Sequence, residues 1–284
     1  MGGGQSTPPP ETLIKEWRSV PWGHNKSEQQ FVEDYQPHND EVQQLRVLFY
    51  GPIGSAKSSF INSVESLLRG KITVRASEDA TFGESFTTKY KTYKIHKGRP
   101  GTFYPFAFTD IMGLEVGTNR GVCVEDIKLA MEGHINDDYT FNPCSKISED
   151  NQYYNKTPTL EDRVHVLVYV ISATTTRMLS AETVKKTREV RLAARDMDIP
   201  QLAILTKVDA ACPEIKTDIR NVYKSKYLKQ QMDEVNAAMG FTPKCIFPVN
   251  NYYSEIYTND DTDTLILSAL RRIIADGEDF VNSQ

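Results

Sequence analysis

Lys57 and Ser58 close the run Gly51-Pro52-Ile53-Gly54-Ser55-Ala56-Lys57-Ser58, where an ammonium and a hydroxyl follow a stretch poor in bulky side chains. Those types at that spacing suit one chemistry. The N–H groups of a tight strand-to-helix turn converge on phosphate oxygens, the lysine neutralises the outer phosphates, and the hydroxyl ligates magnesium. The pattern is the phosphate loop GxxxxGK followed by Ser or Thr, with Ala56 at the second glycine. If that position needs positive φ, the strain is about 1–2 kcal/mol, which would weaken binding about tenfold. The expected phosphate contacts are Gly51, Ile53, Gly54, Ser55, Ala56, Lys57, Ser58 and Ser59.

Two further motifs follow in order. Asp110-Ile111-Met112-Gly113 fits DxxG, in which the carboxylate holds magnesium through water and the glycine N–H meets the terminal phosphate. Thr206-Lys207-Val208-Asp209 suits guanine: Asp209 can accept N1–H and the exocyclic amine together, a pairing adenine lacks, while the Lys207 stem covers the ring. Each motif alone is weak. Three in sequence, each after a predicted strand, point to a guanine nucleotide (GTP or GDP) with Mg²⁺. Asn250 is the candidate for the loop over the base. Among Thr81, Thr87 and Thr88, Thr87 is carried forward as a magnesium ligand beside Ser58 and Asp110.

The elements that must position these groups alternate. Leu45–Tyr50 reads as a buried strand and Ser58–Leu68 as a helix; Lys89–His96 and Phe103–Thr109 pair across the turn Lys97–Gly101. Val164–Ser172 is the strongest strand, followed by a helix at Ala181–Asp196 and a strand at Gln201–Leu205. A long helix lies within Ile215–Met239, then a strand at Cys245–Val249 and a last helix at Thr262–Asp276. This alternation implies an α/β protein, a mainly parallel sheet with helices on both faces, in the manner of P-loop NTPases of the Ras-like GTPase class. Residues 1–44 read as an N-terminal arm with a short helix near Glu11–Arg18, and 45–284 as the nucleotide-binding domain. A polar insertion at about 134–163 is a candidate surface for a protein partner.

Composition narrows the class. Charged residues make up 25% and the set AVILMFWYC 39%, which suits a cored chain. Against 33 Lys and Arg stand 38 Asp and Glu, a formal charge of -5, so no specific nucleic acid partner is expected. The longest apolar run, Val166–Ile171, falls far short of the roughly 20 residues that span a bilayer, and Met1–Pro10 lacks the apolar core of a secretory signal. Cys123, Cys144, Cys212 and Cys245 lie far apart and read as reduced thiols of a cytoplasmic protein.

The segments GPIGSAKSSFINSV, KYKTY, DIMGLE, YTFNP, LTKVD, PVNNYYSE and LILSALRRI resemble the interferon-induced protein 44 and 44-like family, from about Val47 to Phe280. The resemblance implies an interferon-induced, cytoplasmic guanine-nucleotide-binding protein linked to antiviral and antiproliferative responses. The family usually has GKS where this chain has Ala56-Lys57-Ser58. Longer members carry an N-terminal domain of TLDc type, which the short arm is expected not to include.

Leu114 follows DxxG where Ras-like enzymes place a water-orienting glutamine. The expectation is therefore binding with slow or absent hydrolysis; Glu115, Arg75 and Arg120 are the residues left to assist. Met1-Gly2-Gly3-Gly4-Gln5-Ser6 fits the myristoylation pattern, which would acylate Gly2 and give weak, reversible membrane contact. Lys185, Arg188, Arg191 and Arg195 line one helical face, interleaved with acids, and read as solvated. His165 reads as a packed residue. Three functions compete: a nucleotide-dependent switch or scaffold, a true GTPase, and a nucleotide-independent scaffold with a degenerate pocket.

Overall fold

The computed structural model describes residues 12–76, 87–117 and 120–284. Six strands form one sheet: β1 (Leu45–Tyr50), β2 (Lys91–His96), β3 (Phe103–Asp110), β4 (Val166–Ser172), β5 (Gln201–Thr206) and β6 (Ile246–Pro248), in the order β2-β3-β1-β4-β5-β6. Only the β2–β3 pair is antiparallel. Every residue of β4 is buried, because β1 and β5 flank it and helices cover both faces; this matches a run of β-branched and aromatic residues with no polar alternation. The expected α/β fold with a mainly parallel sheet is the one observed.

Eight helices surround the sheet among the described residues: α1 (Asn25–Asp34), α2 (Lys57–Arg69), α3 (Val124–Met131), α4 (Ala181–Asp196), α5 (Val208–Ala211), α6 (Pro213–Thr217), α7 (Lys226–Met239) and α8 (Asp260–Asn282). Side-chain caps start three of them. Ser180 accepts from Thr183 N–H, Ser225 from Leu228 N–H, and Asn259 from the N–H groups of Asp261 and Thr262. The acids Asp260, Asp261 and Asp263 in the first turn of α8 favour the positive end of its dipole.

The arm departs from expectation. Thr12–Arg18 is not helical; it is a strap laid along the chain before α7, with Leu13 N–H on Lys224 O (2.8 Å) and Trp17 N–H on Tyr223 O (3.0 Å). Trp17 meets Tyr223 edge-on at 4.9 Å, and the Arg18 guanidinium lies over both rings and donates to Ile246 O. Aromatic burial and these bonds outweigh local helix propensity. The helix comes later, at α1, and packs on α8 through Phe31 beneath Arg271 and the Glu28–Arg271 pair.

The long helix expected within Ile215–Met239 is α7, and the chain before it is divided into α6 and a 3₁₀ turn at Ile219–Tyr223. Asp218 and Ser225 cause the breaks by turning their side chains onto the N–H groups of Arg220 and Leu228. The last helix runs to Asn282, beyond the expected Asp276.

Residues 134–163 are packed as cover for the sheet's β2 edge. Tyr90 N–H bonds Tyr139 O (2.8 Å), Asp138 N–H bonds Tyr90 O (2.9 Å), and Thr92 N–H bonds the Asp137 carboxylate (2.8 Å). Ile135, Tyr139, Phe141 and Ile147 are buried. Asp126 of α3 fastens the segment from below, accepting from Ile147 N–H (2.7 Å) and the Tyr139 hydroxyl (3.2 Å).

The basic face of α4 is only partly solvated. Arg188 donates to Ala238 O, and Arg191 to Met239 O and Gln201 while stacking on Phe241 at 3.8 Å. Both guanidinium groups therefore sit at the carboxyl end of α7, where its dipole favours cations. Lys185 and Arg195 remain exposed in pairs with Glu189 and Asp196. His165 is a packed residue: it accepts from Arg46 N–H and faces Leu160 O, and burial holds its pKa down at about 4.

Candidate nucleotide site

The carboxyl ends of the parallel strands bring the three motifs together. β1 ends at Tyr50, the loop spans 51–56, and α2 begins at Lys57. Gly51 is required by sterics, since a Cβ there would overlap the carbonyl oxygen of Val170 in β4. Ala56 adopts φ 70° and ψ 38°, the left-handed conformation that glycine accepts without strain. Gly54 and the half-buried Ile53 lie between them.

The ends of three other strands hold the loop. After β3, Leu114 N–H bonds Gly51 O at 2.9 Å. After β5, Thr206 Oγ1 donates to Ser55 O (2.7 Å) and Lys207 Nζ to Gly54 O (2.9 Å). After β6, Asn251 Nδ2 donates to Ala56 O (3.3 Å). Tyr252 N–H bonds Ser63 Oγ on α2 (3.0 Å), which fixes that last connection against the helix.

Inside this clasp lie the charged groups. Lys57 is 7% exposed, with Nζ at 3.3 and 3.2 Å from the carbonyls of Gly51 and Pro52. Ser58 Oγ donates to Asp110 Oδ2, and Thr87 Oγ1 reaches the same oxygen at 3.5 Å. Desolvation raises the Asp110 pKa and lowers that of Lys57; each group partly offsets the other's shift. Gly113 lies against Ile53, where an added Cβ would stand 2.7 Å from that side chain and 2.9 Å from its backbone nitrogen. The phosphate-loop and DxxG residues thus meet at van der Waals distance.

Three buried oxygens at the site have no hydrogen-bond partner among the described residues: Ser55 Oγ, Asp110 Oδ1 and Asn251 Oδ1. Each such atom costs about 1–3 kcal/mol, and unsatisfied groups of this kind call for an explanation such as a missing ion or water. Among the described residues no cluster of His, Cys, Asp and Glu could hold a metal alone. A magnesium ion beside Ser58 and Asp110 would therefore draw most of its ligands from phosphate and water, as the donor set requires.

Asp209 is half-buried in α5, with no hydrogen bond or ion pair to a described residue. The side chains of Asn250 and Ser59 are half-buried and likewise make no bond to a described residue. Arg75 is occupied elsewhere, paired with buried Glu65 at 2.7 Å. Lys186 and Glu182 of α4 hold the segment after DxxG, donating to Glu115 O (2.8 Å) and accepting from Gly117 N–H (3.1 Å). Gly2 and Thr81 lie outside the described residues. Asn251 escaped the sequence reading because two adjacent asparagines offer equal candidates, and only the turn after β6 decides which side chain faces the loop.

Strand order, phosphate loop and strand-end motifs define an α/β P-loop domain of the GTPase type. No family model matches the chain. Among curated proteins it is 34% identical over 250 residues to interferon-induced protein 44 of Homo sapiens, which covers 88% of this chain and 56% of the relative. Identity to interferon-induced protein 44-like of Homo sapiens is 32% over 252 residues (88% and 55%), and to interferon-induced protein 44 of Mus musculus 36% over 256 residues (89% and 59%). Across this shared region the chain belongs to the interferon-induced protein 44 and 44-like family. It spans little more than half the length of those relatives. Similar solved structures include Toc33 from Arabidopsis thaliana in complex with GDP and Mg²⁺ (14% identity, TM-score 0.47, 90% of this chain and 93% of that one). Another is a GTP-binding protein from Sulfolobus solfataricus in complex with GDP (15% identity, TM-score 0.38, 83% and 52%).

Proposed function

We propose that this chain binds guanine nucleotide with Mg²⁺ and acts as a nucleotide-dependent switch or scaffold that hydrolyses GTP slowly or not at all. The observation that carries the reading is the buried Asp110 Oδ1, which no described residue bonds, beside Lys57 and Ser58. Lys57 and the loop N–H groups would hold the phosphates; Ser58, Asp110 and Thr87 would hold magnesium, directly or through water. Bound magnesium would neutralise phosphate charge. Asp209 would select guanine and Lys207 would cover the ring, with Asn251 beside the candidate Asn250 at the base end.

Slow turnover follows from Leu114. Its side chain is 3% exposed and its N–H is spent on Gly51 O, so it cannot orient an attacking water. Interferon-induced expression, an antiviral role in innate immunity, a cytoplasmic place with weak membrane contact through acylated Gly2, and a protein partner are part of the same proposal. The names of the relatives support the first of these.

Titration with GDP, a non-hydrolysable GTP analogue and ATP in the presence of Mg²⁺ tests the reading. Guanine nucleotides should bind in preference to ATP, and Lys57→Ala should weaken them by about tenfold or more. Absence of binding at near-millimolar nucleotide would overturn it. The alternative, a nucleotide-independent scaffold, is favoured by Lys57 Nζ resting on the loop's own carbonyls, and that null result would support it.

A further inference from the structure

Three of the nine large hydrophobic side chains exposed among the described residues fall within five positions: Tyr253 (91%), Ile256 (78%) and Tyr257 (81%). They lie on the connection from β6 to α8. Scattered apolar side chains on a surface are ordinary; a cluster held outward is a mark of an interaction site.

This connection is closed at its base by one hydroxyl. Tyr252 OH accepts from Asn259 N–H (2.7 Å) and donates to the Asp263 carboxylate (2.6 Å), so residues 253–258 leave and return at one point. The Glu255 carboxylate accepts from the N–H groups of Tyr253 (2.7 Å) and Ser254 (2.9 Å) and shapes the turn from within. The apolar trio is thus presented by a pinned loop, which reduces the ordering entropy lost on binding. Tyrosine adds a large contact area with few rotatable bonds.

Charge identifies the occupant. From Ile246 to Leu270 the chain carries Glu255, Asp260, Asp261 and Asp263 and no Lys, Arg or His. Asp263 is buried and Asp261 pairs with Arg220, which leaves Glu255 and Asp260 beside the trio. We propose that this loop docks a basic protein segment whose aliphatic side chains cover Tyr253, Ile256 and Tyr257 and whose Lys or Arg residues meet Glu255 and Asp260. An anionic lipid surface would be repelled by those acids. A second copy meeting this loop through a two-fold axis would set like charges against each other. The inference does not depend on nucleotide binding.

Selection from a random-peptide display library on the wild-type chain, with counter-selection on a Tyr253→Ser/Ile256→Ser/Tyr257→Ser variant, tests it. The selected peptides should combine Lys or Arg with Leu, Ile or Val, and the variant should bind them about tenfold or more weakly. Asp260→Asn keeps the apolar trio and the turn's own hydrogen bonds and should weaken the same peptides severalfold. Unchanged thermal unfolding of both variants shows that the loss is local. An acidic or purely apolar consensus, peptides that bind wild type and variant alike, or failure to select any peptide overturns the proposal. So does sedimentation in which the wild type self-associates and the triple variant does not, or binding to phosphatidylserine vesicles that the substitutions abolish.

Discussion

Ala56 is held left-handed by the fold itself, its carbonyl accepting from Phe60 N–H (3.0 Å) and Asn251 Nδ2 (3.3 Å), so the strain falls on folding. Ala56→Gly should therefore stabilise the chain by up to about 1 kcal/mol, partly offset by glycine's larger unfolded-state entropy. Nucleotide affinity should change little; urea unfolding and GDP titration of the same variant separate the two effects. Leu114→Gln is the complementary case. It should not raise phosphate release, and burying its amide should cost about 1–3 kcal/mol of stability by the same unfolding measurement. Lys57, Ser58, Asp110 and Gly113 were legible in the sequence because a phosphate loop and DxxG fix residue type at fixed local spacing. Asn251 and the unpaired Ser55 Oγ were not, because their surroundings come from strands far away in the chain.

The segment Thr73–Ala76, after α2, depends on side chains of that helix. Asn62 Oδ1 accepts from the N–H groups of Arg75 (2.9 Å) and Ala76 (2.8 Å), its amide donates to Ala76 O (2.9 Å), and Ser66 Oγ accepts from Thr73 N–H (2.9 Å). Asn62→Ala should cost about 2 kcal/mol or more by leaving buried groups unpaired, with faster hydrogen exchange at the Arg75 and Ala76 amides as the local readout. Equal exchange in variant and wild type would refute this. The central strands were readable because burial on both faces leaves unbroken β-branched runs. By contrast, α1 and α3 are short, and the strap before α1 is held by Tyr223 and Ile246, more than two hundred residues away. Propensity alone carries no trace of such partners.

Over the whole molecule, Asp263 links packing to pH. Burial raises its pKa from 3.8 to about 6, with Asp260 adding to the shift and the Tyr252 hydrogen bond opposing it. The unfolded chain ionises this group more readily, so its contribution to stability is complete below about 3.8 and is lost as pH rises through about 6. Asp263→Asn retains an acceptor for Tyr252 and should flatten the fall in melting temperature across that window; an unchanged profile would assign the fall to other groups. The mainly parallel sheet and the placing of the motifs at strand ends were legible from alternation; the order of the strands was not, because alternation does not say which strands become neighbours. The covers at its two margins were not, because they are made by an arm and an insertion with little periodicity.

Those margins decide how the protein meets other polypeptides. Residues 137–141 take backbone groups of Thr88, Tyr90 and Thr92 at the start of β2 and the Arg75 side chain takes Lys94 O, while Arg18 and Pro248 blunt β6. Among the described residues neither side offers a long open row of amides, which leaves an extended peptide little to join as a seventh strand. Loss of the strap would free only the Ile246 carbonyl on β6, and three residues ending in proline remain too short a template for fibril growth, so that margin stays guarded even without its cover.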